Sequence, residues 1–209
     1  MTCSLSRCVS GATLAVGLVV GCQSEPAVEQ RTETPTARPI VVVETSAGTI
    51  RMELDPEHAP ETVRNFLLHV RNGFYDGLMF HRVRKDFMIQ AGQLTPTMQR
   101  RTSPVWPIAN EADNGLHNVR GAVAMARTAD PHSAKTEFFI NVVDNPKLDF
   151  RDKTPAGYGY AVFGRVIEGM DVVDAIAAVP VQRRGTHEAV PLDPIVITRA
   201  WVAEPDSSS

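Results

Sequence analysis

The chain has 209 residues, of which 43% are hydrophobic and 22% charged, a balance typical of a soluble globular protein with one domain or at most two. Its formal net charge of -3 provides no basic field of the kind that attracts nucleic acid. The cysteines, Cys3, Cys8 and Cys22, all lie near the N-terminus, which excludes a disulfide framework for the rest of the chain. The histidines are scattered and no pair has metal-ligand spacing, so we expect no metal site.

Residues 1–21 have the pattern of an export signal. Arg7 is followed by the uncharged run CVSGATLAVGLVVGCQS, whose apolar part is shorter than the ~20 residues that a membrane-spanning helix needs. The segment Val19-Val20-Gly21-Cys22 resembles the lipobox of bacterial lipoproteins, which implies cleavage before Cys22 and attachment of lipid to that residue. An ordinary signal peptide and an uncleaved anchor are the alternatives. We expect a lipid-anchored protein of the bacterial cell envelope, on the inner or outer membrane, with its domain in the periplasm.

Two segments flank the folded part. Residues 22–39 contain the lipidated cysteine and a stretch rich in proline, glutamate and threonine, which has too little apolar surface to fold and is predicted to be a disordered tether. Residues 204–209 form a predicted disordered tail. The region between them, residues 40–203, is the predicted domain.

The domain begins with a predicted β-hairpin, because the apolar runs IVVVET and TIRMEL are separated by the turn residues 46–48. A helix is predicted next, with Pro60 in its first turn and residues 72–73, Asn-Gly, at its end. The buried face of this helix is marked by the i, i+3, i+4, i+7 spacing of Val63, Phe66, Leu67 and Val70.

Short strands and one more helix fill the remainder. The strands are predicted at residues 78–83, 86–91, 121–126, 136–141, 160–166 and 195–202. The stretch EGMDVVDAIAAVP predicts a helix with Met170, Val173 and Ala177 facing inward. Polar loops are predicted at 93–104 and 150–159. Many short strands with only two helices favour a mainly β, closed architecture.

Collinear motifs now identify a family. They are FHRV (80–83), FMIQAG (87–92), GAVAMAR (121–127), TEFFINV (136–142), KLD (147–149) and YAVFGRV (160–166). Together they resemble the cyclophilins, which are peptidyl-prolyl isomerases, and most closely the bacterial periplasmic members, which share NEADNGL (110–116) and MARTAD (125–130). The resemblance covers residues 40 to about 203. It implies an eight-stranded antiparallel closed β-barrel capped by two α-helices, with no cofactor.

The resemblance makes Arg82 the catalytic residue and Gln90 its support. An amide before proline turns slowly because its C–N bond has partial double-bond character, with a barrier of ~18–20 kcal/mol. At the half-turned transition state the proline nitrogen becomes a hydrogen-bond acceptor, so a donor aimed at it binds the transition state and not the planar ground state. Arginine is always charged and rich in donors. Without the motif, Arg82 would be interpreted as a solvated strand residue.

The resemblance also assigns substrate contacts to Phe87, Met88, Gln90, Ala126, Arg127, Glu137, Phe139, Leu148 and Tyr160. The apolar members match the pocket that takes the proline ring in the family, and the backbone of residues 126–127 matches the strand that pairs with the peptide. Tyr160 stands where a histidine is common. The alternative for Phe87 and Phe139 is that both are ordinary core residues.

Glu137 departs from the family pattern, because a glutamine is usual at this place in TEFF. An ionised glutamate only accepts hydrogen bonds, whereas glutamine also donates. Glu137 is therefore expected to weaken peptide binding or alter peptide preference, or to pair with Arg82 or Arg127 and compete with the peptide.

The sequence thus predicts a monomeric isomerase that acts on X-Pro bonds of unfolded envelope proteins and proline-containing peptides. Unaided, such bonds isomerise in tens to hundreds of seconds. The alternative is a peptide-binding chaperone module with little or no turnover, for which the departure at Glu137 is the main argument.

Overall fold

The structure, a computed structural model, describes residues 38–203. The predicted export signal, Cys22, the tether up to residue 37 and the tail 204–209 lie outside the described residues. The strands in the described part are β1 (Ile40–Thr45), β2 (Gly48–Leu54), β3 (Arg82–Arg84), β4 (Met88–Ala91), β5 (Ala122–Met125), β6 (Phe138–Asn141), β7 (Val162–Glu168), β8 (Val181–Arg184), β9 (His187–Pro191) and β10 (Ile197–Val202). The α-helices are α1 (Pro60–Arg71) and α2 (Met170–Ala177), and a short 3-10 helix spans Pro146–Leu148. Over residues 38–203, neither helix has the length and apolar character needed to cross a membrane.

One curled antiparallel sheet organises the domain. It has eight strands in the order β10-β1-β2-β7-β5-β6-β4-β3, which confirms the predicted mainly β fold with two helices. The predicted closure into a barrel is not confirmed, because β3 does not form a ladder with β10. β3 has only three residues, and the segment before it meets β10 instead through the isolated bridge between Met79 and Val196 and through backbone hydrogen bonds such as those from Ile197 N to Leu78 O (2.8 Å) and from Phe80 N to Ile195 O (2.9 Å).

The hairpin of β8 and β9 was not predicted from the sequence. Its two strands pair only with each other, and β9 packs beside β3. The apolar alternation that marks a half-buried strand is missing from β8, whose first three residues are exposed. Gly185 occupies the turn with φ +61°. The predicted strand at 78–83 is also wrong in its bounds, since only Arg82–Arg84 joins the ladder.

Helix α1 forms where the sequence predicted it. Pro60 occupies the first turn, and the predicted apolar face is buried. The N-cap residue Ala59 has no side chain to accept the free N–H groups of the first turn. The carboxylate of Glu111 takes that part, because it accepts from the backbone N–H of Glu61 (3.0 Å) and Thr62 (2.8 Å). This contact fixes the long loop after β4 against the helix.

The main core lies between the inner face of the sheet and the helices. Its centre is a group of aromatic rings, in which Phe66 lies 5.0 Å from Phe163, 5.2 Å from Tyr75 and 5.3 Å from Phe138 between ring centres. Helix α2 adds Val173 and Ala177, both buried, and Met170 packs against the same core, as predicted.

A second, smaller apolar cluster lies on the opposite face of the same strands, and we call it the cleft cluster. Its members are Met88, Ala122, Ala124, Phe139 and Val162, with Phe87, Leu116, Ala126, Leu148 and Tyr160 packed against them and partly exposed. The two-residue period of a strand explains the division. In β6, Phe138 and Ile140 enter the main core whereas Phe139 faces the cleft cluster.

Candidate active site

A surface cleft of about 350 Å³ opens over the cleft cluster. All the site residues predicted from the sequence line it, namely Arg82, Phe87, Met88, Gln90, Ala126, Arg127, Glu137, Phe139, Leu148 and Tyr160. His81, Gln93 and His187 complete the lining. Neither Gln93 nor His187 was predicted from the sequence as a site residue, and His187 lies on the hairpin that was not predicted. The structure thus gathers these residues, and their individual roles stay predictions.

One end of the cleft is apolar. The rings of Phe139 and Tyr160 meet edge to face with their centres 5.7 Å apart, and Met88 is buried beneath them. Phe87 and Leu148 are only half-buried at the rim. Because Phe87, Leu148 and Tyr160 are packed on one side and partly open on the other, the pocket can receive an apolar ring without rearrangement of its walls.

Three asparagines beneath the apolar end hold its walls in place. The amide of Asn145 donates to the backbone carbonyl of Phe87 (3.0 Å) and to Asn141 Oδ1 (2.8 Å). Asn141 donates in turn to Asn118 Oδ1 (3.2 Å), and the Asn118 amide points to the carbonyl of Tyr160. Asn118 and Asn141 are buried, and buried amides persist only when such partners exist. This network was not predicted from the sequence, because nothing in the spacing of polar residues marks which of them are buried.

Asp149 ties the floor of the apolar end to the preceding loop. Its Oδ1 accepts from the backbone N–H of Asn118 (2.7 Å), and its Oδ2 lies 2.9 Å from Nδ1 of His117. Burial alone would raise the pKa of Asp149, but the hydrogen bonds from Asn118 and His117 outweigh it and hold that pKa below its ordinary value. The ionised carboxylate is therefore a structural group of the cleft.

The other end of the cleft carries Arg82. Arg82 on β3 is directly opposite Gln90 on β4, so both side chains project from the same face, and the guanidinium donates to Gln90 Oε1 (3.3 Å). The guanidinium carbon lies 5.7 Å from the centre of the Phe87 ring. Burial and the nearby charge of Arg84 lower the pKa of Arg82, and an arginine still keeps its proton at neutral pH. A positive donor thus stands at the border of the apolar pocket.

Glu137 lies behind Gln90 and does not pair with an arginine. Its Oε2 accepts from Gln90 Nε2 (2.7 Å) and lies 3.3 Å from Nε2 of the buried His81. Burial alone would raise the pKa of Glu137, but the hydrogen bonds of His81 and Gln90 and the charge of Arg100 hold that pKa below its ordinary value. Within residues 38–203, no ion pair joins Glu137 to Arg82 or Arg127, so the predicted pairing is wrong.

The side chain of Arg127 contacts the loop before Tyr160 and not Glu137. Its guanidinium donates to the carbonyls of Gly159 (2.8 Å) and Pro155 (3.1 Å), and it covers the Tyr160 ring at 4.7 Å. The side chain therefore fastens the loop that carries Tyr160. The N–H of Ala126 donates to the carbonyl of Glu137 (2.9 Å), so this N–H is not available to a peptide.

A second cleft of about 340 Å³ continues from the first one. The two share Gln90, Gln93, Ala126, Arg127 and Glu137. The remaining lining residues of the second cleft are Arg100, Arg101, Thr102, Ser103, Thr128, Ser133, Lys135 and Thr136. A bound chain longer than a single residue therefore has a polar, positively charged surface available beside the apolar pocket.

The possible metal ligands lie away from this cleft. Among residues 38–203, one group of side chains, Asp55, Glu57 and His58, is close enough together to hold an ion. The carboxylate of Asp55 is already engaged, because it accepts from His58 and pairs with Arg38 at 3.3 Å. The cleft itself offers a guanidinium, an amide and apolar rings, which suit binding and polarisation of a neutral amide.

Known proteins share this sequence and fold. The family model for "Cyclophilin type peptidyl-prolyl cis-trans isomerase/CLD" matches residues 40–202. A peptidyl-prolyl cis-trans isomerase of Streptomyces antibioticus is 58% identical over 162 residues, which are 78% of this chain and 97% of that protein. Peptidyl-prolyl cis-trans isomerase B of Escherichia coli is 48% identical over 165 residues, which are 79% of this chain and 100% of that protein.

Solved structures agree in fold. A crystal structure of a Cryptosporidium parvum cyclophilin, determined in the presence of the dipeptide Ala-Pro, has a TM-score of 0.64 and 24% sequence identity. The match covers 79% of this chain and 99% of that one, and at this identity it supports the fold alone. The family match spans the whole sheet, both helices and the cleft, and the curated relatives are matched over nearly their full length. The chain belongs to the cyclophilin-type peptidyl-prolyl cis-trans isomerases.

Proposed function

We propose that this isomerase accelerates X-Pro isomerisation in proteins that fold in the cell envelope, with Arg82 as the catalytic residue. The observation that carries the proposal is the position of the guanidinium, which lies half-buried between Gln90 and the Phe87 ring at the border of the apolar pocket. A proline ring in that pocket would bring its nitrogen to the side of the cleft where the donors are.

The reaction needs no nucleophile and no proton transfer. When the amide is half-turned, its conjugation is lost and the proline nitrogen can accept a hydrogen bond from Arg82. Gln90 limits the motion of the guanidinium so that the donor is already in place when the bond turns. A charge-assisted hydrogen bond contributes about 1.5–3 kcal/mol, or roughly 10- to 150-fold in rate.

The remaining acceleration comes from holding one side of the bond still. Phe87, Met88, Phe139 and Leu148 grip the ring, and Tyr160 closes the end of the pocket. The carbonyl of Ala126 fixes the peptide backbone, and Arg127 acts on the loop behind Tyr160. Because one chain supplies every residue of the cleft, we expect the monomer to be active.

The localisation forms a separate part of the proposal. The lipobox-like segment that ends at Cys22 supports export of the domain from the cytoplasm and a lipid anchor. Residues 23–39 form the proposed tether between this anchor and the domain. In a bacterial host we expect the native chain in the membrane fraction with an acylated Cys22 by mass spectrometry, and Cys22→Ala in the soluble fraction. An unmodified native chain that is recovered in the soluble fraction would contradict the anchor.

The catalytic assignment is tested by NMR exchange spectroscopy on an Ala-Pro peptide with the full chain in non-ionic detergent. We expect Arg82→Ala to slow the catalysed exchange by at least tenfold while the peptide still binds. Equal rates for both proteins would remove Arg82 from the reaction. Binding without any acceleration by the wild type would instead favour the peptide-binding chaperone.

A further inference from the structure

We infer that Glu137 is a positioning residue, which acts through Gln90 on Arg82 and not directly on the peptide. The inference rests on the proposed role of Arg82. It assigns a gain in catalysis to a residue for which the sequence alone suggested a loss of peptide binding. The structure shows a continuous chain of contacts from His81 through Glu137 and Gln90 to Arg82.

The side-chain amide of Gln90 has two possible orientations, which exchange the positions of its nitrogen and oxygen. An ionised carboxylate can only accept, so the amide nitrogen of Gln90 must face Glu137, where Nε2 lies 2.7 Å from Oε2. The amide oxygen then faces Arg82, which can only donate. The flipped amide would place acceptor against acceptor at Glu137 and donor against donor at Arg82. Glu137 therefore selects the one orientation in which Gln90 holds the arginine.

Glu137 is itself held in place by burial and by His81. Its side chain keeps only 22% of its exposure, and Nε2 of His81 lies 3.3 Å from the same oxygen that Gln90 reaches. Nδ1 of His81 is buried without a hydrogen-bond partner among the described residues. The tautomer with its proton on Nε2 is the one that suits both facts, because it donates to the carboxylate and leaves no unpaired N–H. His81 thereby holds the same carboxylate oxygen that Gln90 contacts.

A glutamine at position 137 would fix the orientation of the Gln90 amide less strongly than the glutamate does. Its amide can also accept from Gln90, but it can rotate and offer its nitrogen instead, so it does not impose one orientation on Gln90. The carboxylate offers oxygen in either rotation. We therefore expect Glu137→Gln to keep part of the effect and Glu137→Ala to lose it.

The test is a double-mutant cycle on the full chain in detergent, with kcat and peptide affinity measured by NMR exchange on the Ala-Pro peptide. We expect Glu137→Ala to lower kcat about tenfold with little change in affinity, and Glu137→Gln to lower it roughly threefold. In a Gln90→Ala background the same Glu137→Ala change should alter kcat less than twofold, because the intermediary is gone. Glu168→Ala, which removes an exposed carboxylate on β7, is the matched control and should leave both quantities unchanged.

Two results would overturn the inference. A loss of affinity with constant kcat would mean that Glu137 contacts the peptide itself, and an equal loss of kcat in both backgrounds would mean that it acts without Gln90. If Glu137→Ala unfolds, which its circular dichroism would show, Glu137→Gln decides. A fall in its kcat at constant peptide affinity supports the inference, and a fall in affinity at constant kcat contradicts it. If Arg82→Ala keeps its rate, the proposed catalytic role fails, which is a result distinct from failure of the link through Gln90.

Discussion

The main core and the cleft cluster are built from the same strands and from the same kinds of side chain, yet they differ in what surrounds them. The core is covered by the sheet on one side and by helices on the other. The cleft cluster is covered by the sheet alone, with buried asparagines beneath its rim and a cleft above it. Neighbouring residues such as Phe138 and Phe139 therefore serve different ends, one stabilising the fold and the other shaping the site.

The adjacent pair offers a direct way to break this comparison. Phe138 is 1% exposed and packs on the rings of Phe66 and Tyr75. We expect Phe138→Ala to lower the free energy of unfolding by about 3–5 kcal/mol, because it leaves a closed cavity in the aromatic core. Urea unfolding followed by circular dichroism measures this loss. The fraction that remains folded should bind the Ala-Pro peptide as the wild type does.

Phe139→Ala is the matched variant, for which we expect the main loss in peptide affinity and not in stability. Its side chain is 3% exposed, but the space that it leaves joins the open cleft and can fill with water. We expect a smaller loss of stability than for Phe138→Ala and a fall in peptide affinity of roughly tenfold or more, since about 1.5–3 kcal/mol of apolar contact is lost. If the two variants lost the same stability and the same affinity, the separation into two faces would be wrong.

The same separation explains how far the sequence could lead. Short motifs that resemble those of the cyclophilins pointed to Arg82, Phe87 and Phe139, and each of these motifs lies within one segment of the chain. Helix α1 was predicted with its buried face and its ends, since periodicity and an Asn-Gly terminator are local features. The departure at Glu137 was also visible in the sequence, although its partners were not.

What the sequence could not supply is long-range. Asn118, Asn141 and Asn145 become a network only because a loop, the end of β6 and the residue before the short 3-10 helix meet beneath the cleft. His187 enters the cleft on a hairpin whose first strand is exposed and so carries no apolar pattern. The closure of the sheet was predicted from the many short strands and from the family's barrel, whereas the observed edge strand has only three residues in its ladder.

The smallest expected effect concerns the polar support of the cleft cluster and sharpens the comparison through pH. The pKa of Asp149 is held below its ordinary value by Asn118 and His117 despite burial, so its carboxylate stabilises the folded state above the unfolded pKa of about 3.9. That contribution is lost as the pH falls through the lower folded pKa. We expect Asp149→Asn to lower the free energy of unfolding by about 1 kcal/mol at pH 7 and to match the wild type once the wild-type carboxyl is protonated. Urea unfolding at pH 7 and in steps below about pH 4 measures the difference, and a gap that stays constant into acid would show that the charge of Asp149 is not what supports the cleft.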